Sequence, residues 1–334
     1  MNKKTIKFGF IGCGLIANKR ARFINKKDIF VCFDSNLDNS KKFSEYYNCK
    51  IAKNINEILN FKDLNAVIIS TYHNSLASFA IKAFKKKINV LVEKPVGKDL
   101  NQIEKLYSIV KKSNKNNIVQ VGYNHRYHPA IIKILDLLKN KKKTGEIMYI
   151  RCRYGHGGRL NYEKEWRANK KISGGGELID QGSHIIDLSR LLLGNFNSIK
   201  SELVTKFWKM KVDDNAFIIL KNKKKQIAHL HCSCTEWKNK FNLEIFCKRA
   251  KFEVDGLGGS YGHEKLKIYY MKKKMGIPSH KQIVFKEKDK SWKREIDIFK
   301  KSIKNKKNFG PSVDDAYQNM KIISYCYKQR KLIR

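Results

Sequence analysis

The 334-residue sequence has no run of 18 or more apolar residues, and no apolar leader segment precedes its first strand-like stretch. The first absence excludes a membrane-spanning helix, and the second gives no sign of a secretory signal. The eight cysteines form no CxxC pair and show no zinc-type spacing, which argues against the common zinc modules and predicts reduced thiols. We therefore expect a soluble cytoplasmic protein without a metal site.

Arginine is scarce, although the chain is strongly basic. The 71 lysines and arginines exceed the 30 acidic residues by 41 charges, but only 12 of the basic residues are arginines. Such a charge by itself suggests a nucleic-acid or anionic surface. Specific base recognition, however, favours the planar fork of arginine, and the lysines lie in short scattered runs such as 85–87 and 141–143. We predict a solvated lysine-rich surface and no specific nucleic-acid partner.

The composition supplies enough apolar material for folded cores, with 42% hydrophobic and 11% aromatic residues. A chain of this length suits two domains. Over residues 1–125, short β-rich runs alternate with amphipathic segments, which predicts an α/β domain with a doubly wound parallel sheet. The candidate strands are 5–11, 29–33, 49–52, 66–70, 89–93 and 118–122.

The pattern changes after Pro129 and predicts an α+β domain over residues 126–334 with an open, mainly antiparallel sheet. Neither an internal repeat nor a low-complexity linker is found. The predicted elements are a helix over 130–139, a strand over 146–154, a helix from about 176 to 193, strands over most of 199–284, and two closing helices near 292–303 and 313–327.

The first strand leads into Gly12-Cys13-Gly14-Leu15-Ile16-Ala17, which fits the dinucleotide-binding fingerprint in its Gly/Ala form. Gly12 permits the tight turn, Gly14 lets a pyrophosphate approach the backbone, and Ala17 lets the helix pack closely on the strand. A strand before the motif and a helix after it are the context that the fingerprint requires. We predict a Rossmann domain; a plain glycine-rich turn is the alternative.

Asp34 lies 20 residues after Gly14, at the end of the second predicted strand. A carboxylate there accepts hydrogen bonds from the adenosine ribose and repels a 2′-phosphate. This position favours NAD as the cofactor and makes NADP less suitable, although Lys41 and Lys42 nearby weaken the preference. The alternative is that Asp34 caps the following helix, with Ser35 or Asp38 as competitors for that role.

Two further patterns point to proton chemistry at a substrate hydroxyl. Lys94 follows the fifth strand at the carboxyl edge of the sheet, where an ammonium can stabilise a developing alkoxide. Asp180 and His184 are four residues apart in a predicted helix, so the carboxylate can orient the imidazole and make it a better base. Taken singly, Lys94 before a proline is also typical of an ordinary strand end, and the Asp180–His184 spacing is also typical of a weak surface ion pair.

With these residues in order, the chain resembles the Gfo/Idh/MocA oxidoreductases, named for glucose–fructose oxidoreductase and inositol dehydrogenase. The resemblance runs almost the full length. One loop departs from it: many members read Thr-Pro-Asn-x-x-His after the fourth strand, whereas this chain reads Thr71-Tyr72-His73-Asn74. The motifs that carry the resemblance are Gly12-x-Gly14-x-x-Ala17, residues 66–71, Glu93-Lys94-Pro95, residues 122–129, Trp166-Arg167, residues 174–184 and residues 311–316.

The resemblance implies that His184 is the acid/base, Asp180 its partner and Lys94 the hydroxyl-polarising group. It also implies that a cis bond precedes Pro95, that the last helix returns to the first domain, and that a homodimer or homotetramer forms through the C-terminal sheet. Beyond the fingerprint residues Gly12, Gly14, Leu15, Ile16 and Ala17, the expected cofactor contacts are Asp34, Ser70, Thr71, Asn74, Glu93, Lys94, Trp166 and Arg167. The expected substrate contacts are Tyr123, Asn124, Arg126, Arg159, Asp180 and His184.

The loop over 155–167 is similar to members associated with surface-polysaccharide and sugar-nucleotide metabolism. Because an arginine fork binds carboxylate or phosphate in a bidentate manner, Arg159 and Arg167 suggest an acidic or nucleotide-linked sugar; a solvated Arg159 is the alternative. We predict an NAD-dependent oxidoreductase that acts on a CH–OH group of a sugar, inositol or sugar derivative. Two hypotheses remain beside it: an NAD-dependent glycosidase that uses the same residues, and a non-catalytic regulator that senses the cofactor.

Overall fold

The computed structural model of the chain describes residues 5–113, 116–272, 274 and 276–332. The chain divides into two compact units, each built around one sheet. The first unit holds the chain up to Tyr123 together with Trp292–Met320, and the second holds Asn124–Ser291 and the residues from Lys321 onward. The predicted α/β class with a parallel and a mainly antiparallel sheet is confirmed.

In the described part of the first unit, six strands pair in parallel in the order β3-β2-β1-β4-β5-β6. This order reverses at β1, as in a doubly wound sheet. Strands β1 and β4 are buried along their whole length, as expected of a parallel sheet. The elements are β1 (Phe8–Ile11), α1 (Leu15–Ala21), β2 (Ile29–Phe33), α2 (Leu37–Tyr47), β3 (Lys50–Ile51), α3 (Ile55–Ile58), β4 (Ala66–Ile69), α4 (His73–Lys85), β5 (Asn89–Glu93), α5 (Leu100–Lys111) and β6 (Val119–Gly122).

Among the described residues of the second unit, eight strands form one sheet in the order β14-β13-β12-β11-β7-β10-β9-β8, and β7 and β10 are its one parallel pair. The chain between β7 and β8 carries the predicted substrate loop and three α-helices, of which α10 packs on β7 and β10. The elements are α6 (Pro129–Leu137), α7 (Lys141–Thr144), β7 (Ile147–Gly155), α8 (Lys170–Ser173), α9 (Glu177–Asp180), α10 (Gly182–Leu193), β8 (Ser198–Val204), β9 (Asn215–Lys221), β10 (Ile227–Ser233), β11 (Lys240–Cys247), β12 (Ala250–Asp255), β13 (Glu264–Tyr270) and β14 (His280–Phe285). Two helices close the chain: α11 (Ser291–Asn305) belongs to the first unit from Trp292 onward, and α12 (Val313–Leu332) belongs to the first unit up to Met320 and to the second unit from Lys321.

The predicted helix over about 176–193 is in fact two helices, α9 and α10, with a turn at Gln181. The interruption adjoins Gly182, a residue with weak helix propensity. A Cβ on Gly182 would lie 3.0 Å from the Cys232 sulfur, so the missing side chain permits close packing on β10. Asp180 and His184 consequently lie in different helical segments.

Within the described residues, no helix is long and apolar enough to cross a membrane. The same part of the chain holds no group of three histidine, cysteine or acidic side chains arranged to bind a metal ion. The eight cysteines are free thiols, and seven of them are buried.

Candidate active site

The glycine loop after β1 leaves its backbone open where the fingerprint expects a pyrophosphate. Gly12 has a φ of +86°, and a Cβ there would lie 2.6 Å from the carbonyl oxygen of Ser70, so the turn requires glycine. A Cβ on Gly14, in contrast, would meet no described atom beyond its chain neighbours within 4 Å. Helix α1 then begins at the exposed Leu15, while Ala17 is fully buried. The loop therefore fits a dinucleotide that approaches the Gly14 backbone.

Asp34 follows β2 and is bonded to this loop. One carboxylate oxygen accepts the backbone N–H of Cys13 at 2.7 Å, and the other accepts that of Asn36 at 2.8 Å. The carboxylate thereby ties the glycine loop to the end of β2. Helix α2 is capped by Asn36, whose side chain accepts the Asp38 N–H. The alternative reading of Asp34 as the helix cap is therefore wrong.

Three of the predicted cofactor contacts follow β4: Ser70 and Thr71 lie in the loop, and Asn74 lies in the first turn of α4. Thr71 Oγ1 lies 2.8 Å from Ser75 Oγ, and the Asn74 carbonyl accepts a hydrogen bond from the Gln102 amide at 3.1 Å. These residues stand at the carboxyl edge of the parallel sheet, which is where open α/β sheets bind ligands.

A buried ion triad holds Glu93 at the end of β5. The fully buried guanidinium of Arg20 donates to Glu93 at 2.6 Å and to Glu295 on α11 at 2.7 Å. Burial by itself lowers the pKa of Arg20, but the two carboxylates raise it above its ordinary value. Sequence reasoning missed Arg20, which orients the carboxylate next to Lys94.

Lys94 directly follows β5, and only 8% of the residue is exposed. The Lys94–Pro95 peptide is cis, as the resemblance implies. The next residue, Val96, has a φ of +76°, a conformation that costs a non-glycine residue about 1–3 kcal/mol. Lys94 therefore stands at the carboxyl edge of the sheet, beside a backbone that the surrounding packing holds in a strained conformation.

In the second unit, Arg167 holds Asp180. Its Nε donates to Asp180 Oδ2 at 2.9 Å, and its guanidinium carbon lies 4.6 Å from the centroid of the Trp166 ring. Burial lowers the pKa of Arg167, but Asp180 raises it above the ordinary value. Arg159 pairs with Glu165, and its side chain is 56% exposed. The structure thus brings Trp166, Arg167 and Asp180 together and leaves Arg159 on an exposed loop.

The triple-glycine loop is anchored by Asp213, another residue that sequence reasoning missed. Its buried carboxylate accepts the backbone N–H groups of Gly176 at 3.0 Å and Leu178 at 2.8 Å, and the Tyr327 hydroxyl at 2.8 Å. A Cβ on Gly176 would lie 1.9 Å from the Asp213 carbonyl oxygen. Burial raises the pKa of Asp213. These contacts fix the start of α9, and hence the position of Asp180.

Glu177, three residues before Asp180, is a buried acid that was not predicted. It is 1% exposed and accepts the Tyr162 hydroxyl at 2.6 Å, and His156 Nε2 lies 3.6 Å from its other oxygen. Burial, reinforced by the charge of Asp180, raises the pKa of Glu177 to about 8. Burial also lowers the pKa of His156. At neutral pH the carboxyl of Glu177 is therefore mostly protonated.

His184 lies on α10 with 6% of the residue exposed. Its ring stacks on that of His125, with centroids 3.8 Å apart and planes 18° from parallel. Tyr154 from β7 packs edge-on against both rings. The candidate base therefore has an aromatic environment, in which His125 was not predicted.

The polar groups of three predicted substrate contacts are bonded within their own units. In the first unit the Tyr123 hydroxyl accepts a hydrogen bond from Asn319 at 2.8 Å. In the second unit the Asn124 side-chain amide donates to the Ser291 hydroxyl at 3.1 Å. The Arg126 guanidinium donates to the Asp187 carboxylate through Nε at 2.8 Å and Nη2 at 2.6 Å. The bidentate Arg126–Asp187 pair also connects the turn that carries His125 to α10.

Two family descriptions match the chain. Residues 6–123 match the description "Oxidoreductase family, NAD-binding Rossmann fold", and residues 134–260 match "GFO/IDH/MocA C-terminal domain". The first match ends where the first unit's parallel sheet ends, and the second includes α9, α10 and β7 to β12.

Curated relatives match parts of the chain. A levoglucosan dehydrogenase from Pseudarthrobacter phenanthrenivorans is 29% identical over 150 residues, which cover 44% of this chain and 38% of that protein. Oxidoreductase P35 from Formosa agariphila is 28% identical over 204 residues, 58% of this chain and 63% of that protein. The matched regions thus span less than two thirds of these relatives.

Solved structures match nearly the whole chain. A levoglucosan dehydrogenase in complex with NADH has a TM-score of 0.84 at 19% identity, with 97% of both chains covered. A UDP-N-acetylglucosamine 3-dehydrogenase from Acidithiobacillus ferrooxidans has a TM-score of 0.78 at 18% identity, with 97% of this chain and 96% of that chain covered. At these identities the matches show a shared fold.

Proposed function

Because the chain belongs to the Gfo/Idh/MocA family of NAD-binding oxidoreductases, we propose that it transfers a hydride between NAD and a CH–OH group of a sugar or sugar derivative. The observation that carries the proposal is the open Gly14 backbone tied to Asp34, in a chain that also carries Lys94 and His184. The Gly14 backbone and Asp34 suit the binding of a dinucleotide, and Lys94 and His184 suit proton chemistry at a hydroxyl.

Each of the proposed catalytic side chains has one task. NAD, when bound, supplies a hydride acceptor at its nicotinamide ring. His184 takes the hydroxyl proton as the alcohol is oxidised and returns it in the reverse direction. Lys94 donates a hydrogen bond to the same oxygen and stabilises its developing charge. Asp180, oriented by Arg167, supplies the negative charge that favours a proton on His184.

The remaining predicted contacts are assigned on the same basis. We propose that the fingerprint residues bind the pyrophosphate and that Asp34 binds the adenosine ribose. Arg159 is our candidate for an anionic group of the substrate, since its side chain is 56% exposed. An acidic or nucleotide-linked sugar, as found in surface-polysaccharide metabolism, would carry such a group. The other proposed cofactor contacts are Ser70, Thr71, Asn74, Glu93, Trp166 and Arg167, and the other proposed substrate contacts are Tyr123, Asn124 and Arg126.

We also propose that the second sheet joins copies of this chain into a homodimer or homotetramer. On β9 the side chains of Ala216, Ile218 and Leu220 are buried, whereas Phe217 and Ile219 on the opposite face are 43% and 46% exposed. Large apolar side chains exposed on a sheet face are typical of a protein–protein interface. Burying this face against a second copy would remove them from water.

The test is to incubate the purified protein with NAD and a panel of sugars, inositols, uronates and nucleotide sugars, and to follow the absorbance of NADH. Stoichiometric release of NADH with one class supports the dehydrogenase. Cleavage of a glycoside without net NADH identifies the NAD-dependent glycosidase instead. Cofactor binding without turnover of any class, together with DNA binding that survives physiological salt, identifies the regulator.

A further inference from the structure

The loop between β12 and β13 is rich in glycine and presents one aromatic side chain, that of Tyr261. Gly258 and Gly262 have φ and ψ values of +75° and 174°, and of +79° and 169°, a region that essentially only glycine adopts. They flank a single 3₁₀ turn over Gly259–Tyr261, and the Gly258 N–H donates to the Gly262 carbonyl at 2.8 Å. The glycines therefore make a tight loop that fixes the direction of Tyr261.

This loop stands at the same end of the second sheet as the last residues of β7. Tyr154, near the end of β7, is paired with Phe241 on β11, and the Gly256 N–H donates to the Phe241 carbonyl at 3.0 Å. The Tyr261 ring packs on the Tyr154 ring, with centroids 5.4 Å apart and planes at 41°. The Tyr154 ring in turn packs edge-on against His184, with centroids 6.0 Å apart. Tyr261 thus lies one aromatic ring away from the candidate base.

The Tyr261 hydroxyl is neutral, and the residue is partly exposed, whereas Tyr154 is buried. Burial raises the pKa of Tyr261 to about 12, and the neighbouring carboxyl groups of Glu177 and Asp180 also raise it. Burial likewise holds the pKa of Tyr154 well above its usual value, and the adjacent Tyr261 hydroxyl adds to that rise. A neutral phenol donates one hydrogen bond and accepts others. Tyr261 therefore suits a hydroxyl group of a ligand better than it suits the removal of a proton.

We propose that Tyr261 is a substrate-binding residue, which hydrogen-bonds a sugar hydroxyl other than the one that is oxidised. The ligand class is thus a polyol or sugar with a second free hydroxyl near the reacting carbon. This proposal rests on the proposed function, because the ligand must lie beside His184 for Tyr261 to reach it. A purely structural Tyr261, which only supports the Tyr154 ring, would not distinguish ligands by that hydroxyl.

The test is isothermal titration calorimetry with NADH present, so that the sugar binds without being oxidised. The probes are the sugar or inositol of the panel that binds most tightly and its monodeoxy analogues. The proteins are wild type, Tyr261→Phe and, as a matched control, Tyr325→Phe, which removes a hydroxyl from an exposed tyrosine of the same unit.

We expect Tyr261→Phe to bind the parent sugar about fivefold to tenfold more weakly than wild type, the scale of one lost neutral hydrogen bond. The control should bind it as wild type does. One monodeoxy analogue, which lacks the hydroxyl that Tyr261 binds, should bind equally to wild type and Tyr261→Phe. Equal weakening for the parent and every analogue, no weakening, or no binding of any panel sugar overturns the proposal.

The glycine loop offers a second test with its own control. Gly262→Ala places a side chain in a backbone region that only glycine adopts, so it should displace Tyr261 and weaken sugar binding as Tyr261→Phe does. Gly194, after α10, has a φ of +79° and a ψ of −159°. An added Cβ on either glycine would meet no described atom beyond its chain neighbours within 4 Å. Equal weakening by Gly194→Ala and Gly262→Ala overturns the role of the loop.

Kinetics separate this proposal from the proposed function. Tyr261→Phe should raise KM about fivefold to tenfold and change kcat less than about threefold, because Tyr261 holds no reacting proton. A loss of kcat near 100-fold with unchanged KM would overturn the binding role. If His184→Ala retains its turnover, the proposed function fails, while the calorimetry with the monodeoxy analogues still decides the role of Tyr261.

Discussion

Replacing Glu177 by glutamine tests whether the buried acid beside Asp180 holds a proton at neutral pH. Glutamine keeps the shape and can still accept the hydrogen bond from Tyr162, but it cannot ionise. In the folded protein the pKa of Glu177 is about 8, against an ordinary value of 4.5, because burial and the charge of Asp180 oppose ionisation. The folded state therefore binds this proton more tightly than the unfolded state does.

The sign and size of the effect follow from that difference. The contribution of Glu177 to stability is complete below pH 4.5 and is lost as the pH rises through about 8. The slope approaches about 1.4 kcal/mol per pH unit, and the pKa difference of about 3.5 corresponds to at most roughly 5 kcal/mol. Because Glu177 is only 1% exposed, solvent screens little of this energy. The Glu177→Gln variant has no carboxyl at this position, so it does not lose this stability as the pH rises.

The assay is urea unfolding followed by tryptophan fluorescence at several pH values between 5 and 8.5. The control is Glu45→Gln, which removes an exposed carboxylate from α2. Between pH 5 and pH 8 we expect the free energy of unfolding of Glu177→Gln to rise by about 2 kcal/mol or more relative to wild type. Stability curves of the variant and the wild type that run parallel within about 0.5 kcal/mol refute the reasoning.

Three further predictions concern the cofactor, the substrate and the assembly. Fluorescence titration should show NAD bound at least about tenfold more tightly than NADP. Equal affinities for the two cofactors, or an unchanged affinity ratio in Asp34→Ala, contradict the assignment of Asp34 to the adenosine ribose. Arg159→Ala should raise KM for an anionic substrate about tenfold. Neutralising lysines 85–87 should change this KM little at physiological salt, because the Debye length is about 8 Å. Similar KM increases in the two variants, or a preference for a neutral substrate, would refute this. Ile219→Glu should dissociate the oligomer in light scattering; an unchanged mass excludes the sheet interface.

The sequence was sufficient for features that a short segment encodes by itself. Gly12, Gly14 and Ala17 lie within six residues of one turn and helix, and Gly12, with its positive φ, and the fully buried Ala17 each have a local steric reason for their identity. The alternation of strands and helices likewise predicts the parallel sheet. Strand and helix ends were less accurate: β1 begins at Phe8, not at Thr5, because its ladder with β2 and β4 starts there.

The missed residues depend on contacts between distant parts of the chain. Arg20 and Glu295 are 275 positions apart, and no local pattern marks that pair. Asp213 anchors Gly176 across 37 positions, and it looks like one more surface acid in a lysine-rich segment. The stack of His125 on His184 likewise arises only when the turn before α6 meets α10. Side chains that hold the predicted site residues in place were therefore not predictable from local patterns.

The most direct test of the central claim is hydride transfer by His184→Ala, measured as NADH formation at saturating NAD with the best substrate of the panel. We predict that NAD affinity stays within about threefold of wild type, whereas turnover falls about 100-fold or more through loss of the acid/base. Lys94→Ala should show a similar loss, and the control His263→Phe, at an exposed residue, should not. Retention of most of the turnover by His184→Ala would contradict the proposed chemistry.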